Sequence, residues 1–138
     1  MFTEILDRKN TPYARLVNPI LSAALCAVDP YECVYRNIAL LNGDQFTIGG
    51  KLYSLDEYDH IYLIGTGKAV QPMAGAVMDK LSSRISGGIL IGKHDDAAFS
   101  MNMPQEISFT LGSHPVPSIS SIQSTIQLTA FQIGRAHV

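Results

Sequence analysis

The chain has 138 residues, of which 46% are hydrophobic and 16% charged, and its formal net charge is −2. This composition indicates one folded domain rather than a disordered chain, and without a basic excess nothing predicts a nucleic-acid partner. No apolar run approaches the roughly 20 residues that cross a membrane, and the N-terminus lacks the basic-then-apolar order of a signal peptide. We therefore expect a cytoplasmic protein without a membrane partner.

The first part of the chain predicts two helices. Residues 12–28 have helical periodicity, and Pro19 marks an early turn of this helix or a break in it. Asp29 is the expected N-cap of a second helix through about Asn37, with Pro30 at its first position. Cys26 and Cys33 fit no metal or redox spacing, so we expect two reduced thiols of the core type. The apolar positions predicted to share one face of the first helix are Leu16, Ile20, Ala23, Ala24 and Ala27.

A β-hairpin is predicted next. Residues 46–48 and 51–53 are short apolar runs joined by Gly49-Gly50, a two-residue glycine turn. An earlier short strand is expected to end at Asn42-Gly43.

The second half alternates strands and helices, the pattern of a parallel sheet. Buried strands are expected over 61–64, 87–91 and 106–111, with helices over 67–82 and 118–132. Residues 93–105 form a long connection of the kind that lines sites. The first of these helices is expected to pack on the sheet through Met73, Ala74, Val77, Met78 and Leu81, and the second through Ile119, Ile122, Ile126 and Phe131.

The turn Gly65-Thr66-Gly67-Lys68 carries the strongest functional signal. Here a helix is predicted to start at the end of a strand, with Lys68 in its first turn. A cation there is unfavourable by roughly 0.3–1 kcal/mol, so the lysine indicates an anionic ligand. The alternative is a solvated lysine on an ordinary strand–helix connection.

Two common glycine-loop motifs do not fit this turn. A Walker A loop requires a glycine where Tyr62 stands and Ser or Thr where Ala69 stands. A dinucleotide fingerprint requires Gly or Ala at Val70, although Asp95 follows the next strand at about the distance of a ribose-binding acid. A generic anion site at a strand–helix turn remains.

A second candidate element is the loop Gly112-Ser-His-Pro-Val-Pro117, directly after the third strand. His114-Pro115 favours an extended backbone at the histidine, and Pro117 rigidifies the entry to the last helix. In a parallel sheet both loops would emerge at the strand carboxyl ends, where α/β folds gather ligands. Taken alone, His114 is equally explained as a structural loop histidine.

The order of these motifs resembles a known family. Ala-Val-Asp-Pro, the Ile-Gly-Gly hairpin, Ile-Gly-Thr-Gly-Lys-Ala-x-x-x-Met-Ala and Gly-x-His-Pro-Val-Pro occur over about residues 14–130. They resemble the N-terminal region of the glycerate 2-kinases of the MOFRL type. The resemblance implies an α/β fold, a Rossmann-like αβα sandwich with a mostly parallel sheet, N-terminal helices and a β-hairpin.

The activity implied by the resemblance is ATP-dependent phosphorylation of D-glycerate to 2-phosphoglycerate. ATP and Mg²⁺ are the implied cofactors, a homo-oligomer is left open, and no residue is assigned as a metal ligand. The active site of the family lies in a cleft between a large N-terminal and a smaller C-terminal domain. Lys68 matches the glycine-turn lysine implicated in catalysis, and the substrate- or phosphate-binding positions are Gly65, Thr66, Gly67, Lys68, Ala69, His114 and Pro115.

Departures and alternatives accompany this interpretation. Ser118 stands where the family commonly has an acid. The family's connection usually contains glycine around the position of Lys93-His94, whereas Asp95-Asp96 follow here. We expect residues 1–132 to be the N-terminal part of the large domain and 133–138 to be a non-native, adapter-derived tail, so that this fragment alone would be inactive. The alternatives are a non-catalytic Rossmann-type module that binds a sugar phosphate or nucleotide, an NAD-dependent hydroxypyruvate reductase, and a fragment without function.

Overall fold

The structure is a computed structural model, and it describes residues 13–42, 44–93 and 104–135. Two helices come first, followed by an antiparallel sheet and then a parallel α/β unit. Short 3₁₀ turns lie at Leu55–Glu57 and Ser82–Arg84. In chain order the elements are α1 (Ala14–Ala27), α2 (Pro30–Asn37), β1 (Ile38–Leu40), β2 (Gln45–Ile48), β3 (Lys51–Ser54), β4 (Ile61–Thr66), α3 (Val70–Leu81), β5 (Ile85–Lys93), β6 (Ile107–Gly112) and α4 (Ile119–Arg135).

The two N-terminal helices begin and end close to where the sequence predicts. Asp29 caps α2, accepting a hydrogen bond from the backbone N–H of Glu32 at 3.0 Å. Pro19 lies inside α1, which continues through it. Cys26 and Cys33 are free but exposed, so the expectation of core thiols is wrong. The reason is that the described core cluster includes no residue of α1 and, from α2, only the partly buried Val34.

The antiparallel sheet has the order β1-β2-β3 and contains the predicted hairpin. Its turn, Gly49-Gly50, has φ values of 56° and 82°, which a type I′ turn requires and glycine adopts without strain. The preceding strand, β1, ends at Leu40, before the expected end at residues 42 and 43. Residue 43 lies outside the described residues.

The parallel sheet has the order β4-β5-β6, which confirms the predicted α/β fold. Its two faces carry different helices. Leu90 on β5 belongs to the core cluster that includes Val70 and Ala74 of α3. On the other face, the Phe131 ring of α4 contacts the Tyr62 ring edge-on, with ring centroids 5.6 Å apart. The sheet therefore lies between α3 and α4.

No helix among the described residues is long and apolar enough to cross a bilayer.

Burial of the strands and of α3 differs in part from the prediction. Strand β5, between its two neighbours, is almost wholly buried, whereas β4 at one end of the described sheet is only partly buried. On α3, Ala74, Met78 and Leu81 are buried as expected, but Met73 is 44% exposed. The prediction that β4 is buried is wrong. This strand is only partly buried because it has a described neighbour on one side only.

Of the four residues predicted for the inner face of α4, Phe131 packs on the sheet as expected, but the three isoleucines do not. Ile119, Ile122 and Ile126 are 74%, 60% and 63% exposed. Apart from Phe131, the side facing the sheet carries small residues such as Ser124. Ser124 is 3% exposed and donates its hydroxyl proton to the Leu111 carbonyl at 3.2 Å. Small side chains let the helix approach β6 closely, which turns the isoleucines outward.

Candidate functional site

An open cavity of about 380 Å³ lies at the carboxyl edge of the parallel sheet. The three strands reach this edge at Thr66, Lys93 and Gly112. Ligands of open α/β sheets bind at this edge. The described residues that line the cavity are Thr66, Gly67, Lys68, Ile91, Gly92, Lys93, Gly112, Ser113, His114, Ser121 and Thr125.

The glycine–lysine turn forms one wall of the cavity. Gly67 has φ = +111° and donates its backbone N–H to the Ile91 carbonyl at 3.1 Å. Its own carbonyl accepts a hydrogen bond from the N–H of Val70 at 3.2 Å. Helix α3 begins only at Val70, so the expected place of Lys68 within its first turn is wrong. Lys68 is an exposed residue of the turn itself, two residues before the helix.

Two of the expected binding residues, Gly65 and Ala69, are not among the described residues that line the cavity. Gly65 has a packing role instead. A Cβ built at this position would lie 2.7 Å from Val70 Cγ2 and 3.0 Å from Leu90 Cδ2. Ala69 is the N-cap residue of α3 and makes no side-chain capping hydrogen bond.

The loop after β6 forms the opposite wall. His114 is exposed and lines the cavity, whereas Pro115 does not line it, and the bond between them is cis. The loop is closed by serines. The N–H groups of Ser113 and Ser118 both donate to Ser121 Oγ, at 2.9 and 3.3 Å. The structure thus brings Thr66, Gly67 and Lys68 to one cavity with His114.

Four polar lining residues are not among the individually predicted site residues, namely Lys93, Ser113, Ser121 and Thr125. Lys93 and Ser113 lie within segments 93–105 and 112–117, which the sequence did indicate, whereas Ser121 and Thr125 lie in neither. The structure extends the strand expected over 87–91 as far as Lys93, which pairs with Gly112. The sequence did not indicate Ser121 and Thr125 because helical periodicity predicts that the isoleucines of α4 face inward. His94, Asp95 and Asp96, and most of the connection 93–105, lie outside the described residues.

The charge of the described lining residues favours an anion. Two lysines and a histidine line the cavity, and none of the described lining residues is an aspartate or glutamate. Mg²⁺ in proteins is bound through one or two carboxylates plus phosphates and water. Across the described part of the chain, no group of three His, Cys, Asp or Glu residues could hold a metal. The described lining residues therefore do not fit a magnesium site.

A family model named "Domain of unknown function (DUF4147)" matches residues 16–133, most of the chain. The chain belongs to the DUF4147 family. A search of curated proteins found no match.

The DUF4147 chain also resembles a solved structure, the PH0495 protein from Pyrococcus horikoshii OT3. The TM-score is 0.68 at 22% sequence identity, a likeness that shows the fold alone. The match covers 92% of this chain and 27% of the PH0495 chain. The DUF4147 chain therefore spans about a quarter of the length of that protein.

Proposed function

We propose that this DUF4147 chain takes part in the ATP-dependent phosphorylation of D-glycerate to 2-phosphoglycerate. The observation that carries the proposal is that Lys68 and His114, far apart in sequence, line one cavity at the carboxyl edge of the parallel sheet. These residues belong to the two motifs on which the resemblance to MOFRL-type glycerate kinases rests. The DUF4147 domain is found in the N-terminal regions of those kinases.

Lys68 would act electrostatically. Phosphoryl transfer places charge on the equatorial oxygens of the transferring group, so catalysis depends on positioning and on cations that neutralise this charge. Lys68 would hold either the glycerate carboxylate or the transferring phosphoryl oxygens. The phosphates of ATP would bind at the same edge, where Lys68 and Lys93 supply positive charge. His114, on the opposite wall, can donate a hydrogen bond to an anionic oxygen.

The activity is proposed for a protein that contains both domains of the cleft. The resemblance implies that the second of these is a smaller C-terminal domain. Since this chain spans about a quarter of the PH0495 chain, the assay should use the domain within its full natural coding sequence.

The test is a coupled assay with ATP and D-glycerate that compares wild type with Lys68→Ala. We expect turnover in the wild type and a loss of about 10²–10³-fold in kcat for the variant. Lys51→Ala is the matched control, because Lys51 lies over the Tyr53 ring in the hairpin, outside the cavity lining. Circular dichroism verifies that each variant is folded.

Two results would contradict the proposal. Wild-type turnover in Lys68→Ala would remove the role of this lysine. Hydride transfer from NADH to hydroxypyruvate, without phosphorylation of glycerate, would instead identify a reductase.

A further inference from the structure

The side chain of Ser121 closes the loop that carries His114. Its Oγ accepts hydrogen bonds from the backbone N–H groups of Ser113, at 2.9 Å, and Ser118, at 3.3 Å. These two amides lie at the two ends of the loop, on either side of His114. A single oxygen on α4 therefore anchors the loop at both ends.

A serine hydroxyl has two lone pairs and one proton. Both lone pairs of Ser121 Oγ are used by the two amides, so the proton is what remains for donation. Ser121 also lines the cavity together with Lys68, Lys93 and His114. No described lining residue of this cavity is a carboxylate, and its lysines and histidine favour an anionic ligand, whose oxygen can accept this proton.

The surrounding residues accommodate this arrangement. A Cβ at Gly112 would lie 3.3 Å from Ser121 Oγ, so glycine leaves room for the hydroxyl. A separate set of bonds joins the serine hydroxyls, from Ser113 Oγ to Ser118 Oγ and between Ser118 Oγ and Ser120 Oγ, both at 2.7 Å. This set does not include Ser121 Oγ, so the two contributions can be separated by mutation.

We propose that Ser121 is a binding residue of this site, which positions the His114 loop through its lone pairs and donates its proton to an anionic oxygen of the ligand. The proposal deepens the proposed function and rests on the same cavity. The acceptor oxygen belongs to a carboxylate or a phosphate group, since both present the same chemistry to the hydroxyl.

The test is isothermal titration of the full chain with inorganic phosphate and, separately, with D-glycerate. We expect Ser121→Ala to weaken binding of at least one of them by about 10–100-fold, the effect of losing a hydrogen bond to a charged group. The ligand whose affinity falls identifies the acceptor group as phosphate or carboxylate. Amide hydrogen exchange at Ser113 and Ser118 should become faster in the same variant.

Ser118→Ala is the matched control, because it removes the bonds between hydroxyls and leaves both amide bonds to Ser121 Oγ in place. It should keep the affinity within about threefold of wild type. The same is expected of Thr129→Ala, whose hydroxyl donates to the Thr125 carbonyl at 2.9 Å and does not line the cavity among the described residues. If Ser121→Ala does not fold, Ser121→Cys keeps the volume with a weak donor and acceptor, and the same loss is expected.

Three results would overturn the proposal. They are wild-type affinity in Ser121→Ala for both ligands, an equal loss in Ser118→Ala, and a wild-type protein that binds neither phosphate nor D-glycerate. Binding is measured without turnover. If the kinase assay fails but phosphate still binds in a way that depends on Ser121, the proposed function is refuted and the role of Ser121 stands.

Discussion

The backbone N–H of Gly67 donates a hydrogen bond to the Ile91 carbonyl at 3.1 Å, one residue beyond the end of β4. This bond extends the β4–β5 pairing into the turn that carries Lys68. It forms while Gly67 has φ = +111°, a backbone conformation that residues with a Cβ rarely adopt. The position of Lys68 at the cavity therefore depends on the conformational freedom of the preceding glycine.

Gly67→Ala should lower the free energy of unfolding by about 1–3 kcal/mol through backbone strain. A steric clash is not the cause, because a Cβ at Gly67 meets nothing within 4 Å. Urea unfolding measures the change. Thr66→Ala, at the exposed end of β4, is the control and should stay within about 0.5 kcal/mol of wild type. Equal stability of Gly67→Ala and wild type would show that the turn tolerates a side chain.

Gly65→Ala should destabilise the protein for a different reason. The added methyl would lie 2.7 Å from Val70 Cγ2, and such overpacking costs about 1–3 kcal/mol. Shortening the opposing side chain in Val70→Ala should relieve the clash. In a double-mutant cycle by urea unfolding, we expect a favourable coupling of about 0.5–3 kcal/mol. Simple additivity of the two changes would contradict the close approach of β4 and α3.

The outward isoleucines of α4 give a third prediction. Ile122→Gln and Ile126→Gln should each change the free energy of unfolding of the chain by less than about 0.5 kcal/mol, because both side chains are exposed. Leu90→Ala, at a fully buried position of β5, should cost about 2–5 kcal/mol. Thermal or urea unfolding compares the three variants. A loss of several kcal/mol at either isoleucine would place the apolar side of α4 against the sheet after all.

Tyr31 provides a pH-dependent prediction. Its hydroxyl donates to Asp79 Oδ2 at 2.6 Å, and this hydrogen bond to a carboxylate raises the pKa of Tyr31 to about 12. Because the folded pKa lies above the ordinary value of 10, the stabilising contribution is complete below pH 10 and is lost as the pH rises towards 12.

The measurement is ultraviolet titration of tyrosinate in wild type and Tyr31→Phe. The difference between the two curves should titrate near pH 12, later than a tyrosine without a hydrogen bond to a carboxylate. Asp79→Asn is the control and should return the difference curve towards pH 10. A difference curve centred at pH 10 in the wild type would contradict the hydrogen bond between Tyr31 and Asp79.

Local sequence signals predicted most of the elements because they act over a few residues. The cap at Asp29 and the Gly49-Gly50 turn each depend on backbone conformations that neighbouring residues impose, and both are confirmed. Most of the inner face of α4 could not be predicted in this way. Its isoleucines satisfy helical periodicity, but the close approach to β6 at Gly112 selects Ser121 and Ser124 for the sheet side.

The candidate site also combines features that local sequence determines with features that tertiary contacts determine. The sequence by itself determined the α/β order and two candidate motifs, at Lys68 and His114, because strand and turn signals are local. Only the tertiary structure decided which residues meet. Parallel pairing of β4, β5 and β6 brings the ends of distant segments to one edge, and there it adds Lys93 and Ser121 to the cavity while it assigns Gly65 to packing. Such contacts join residues far apart in the chain, and no periodicity within one segment encodes them.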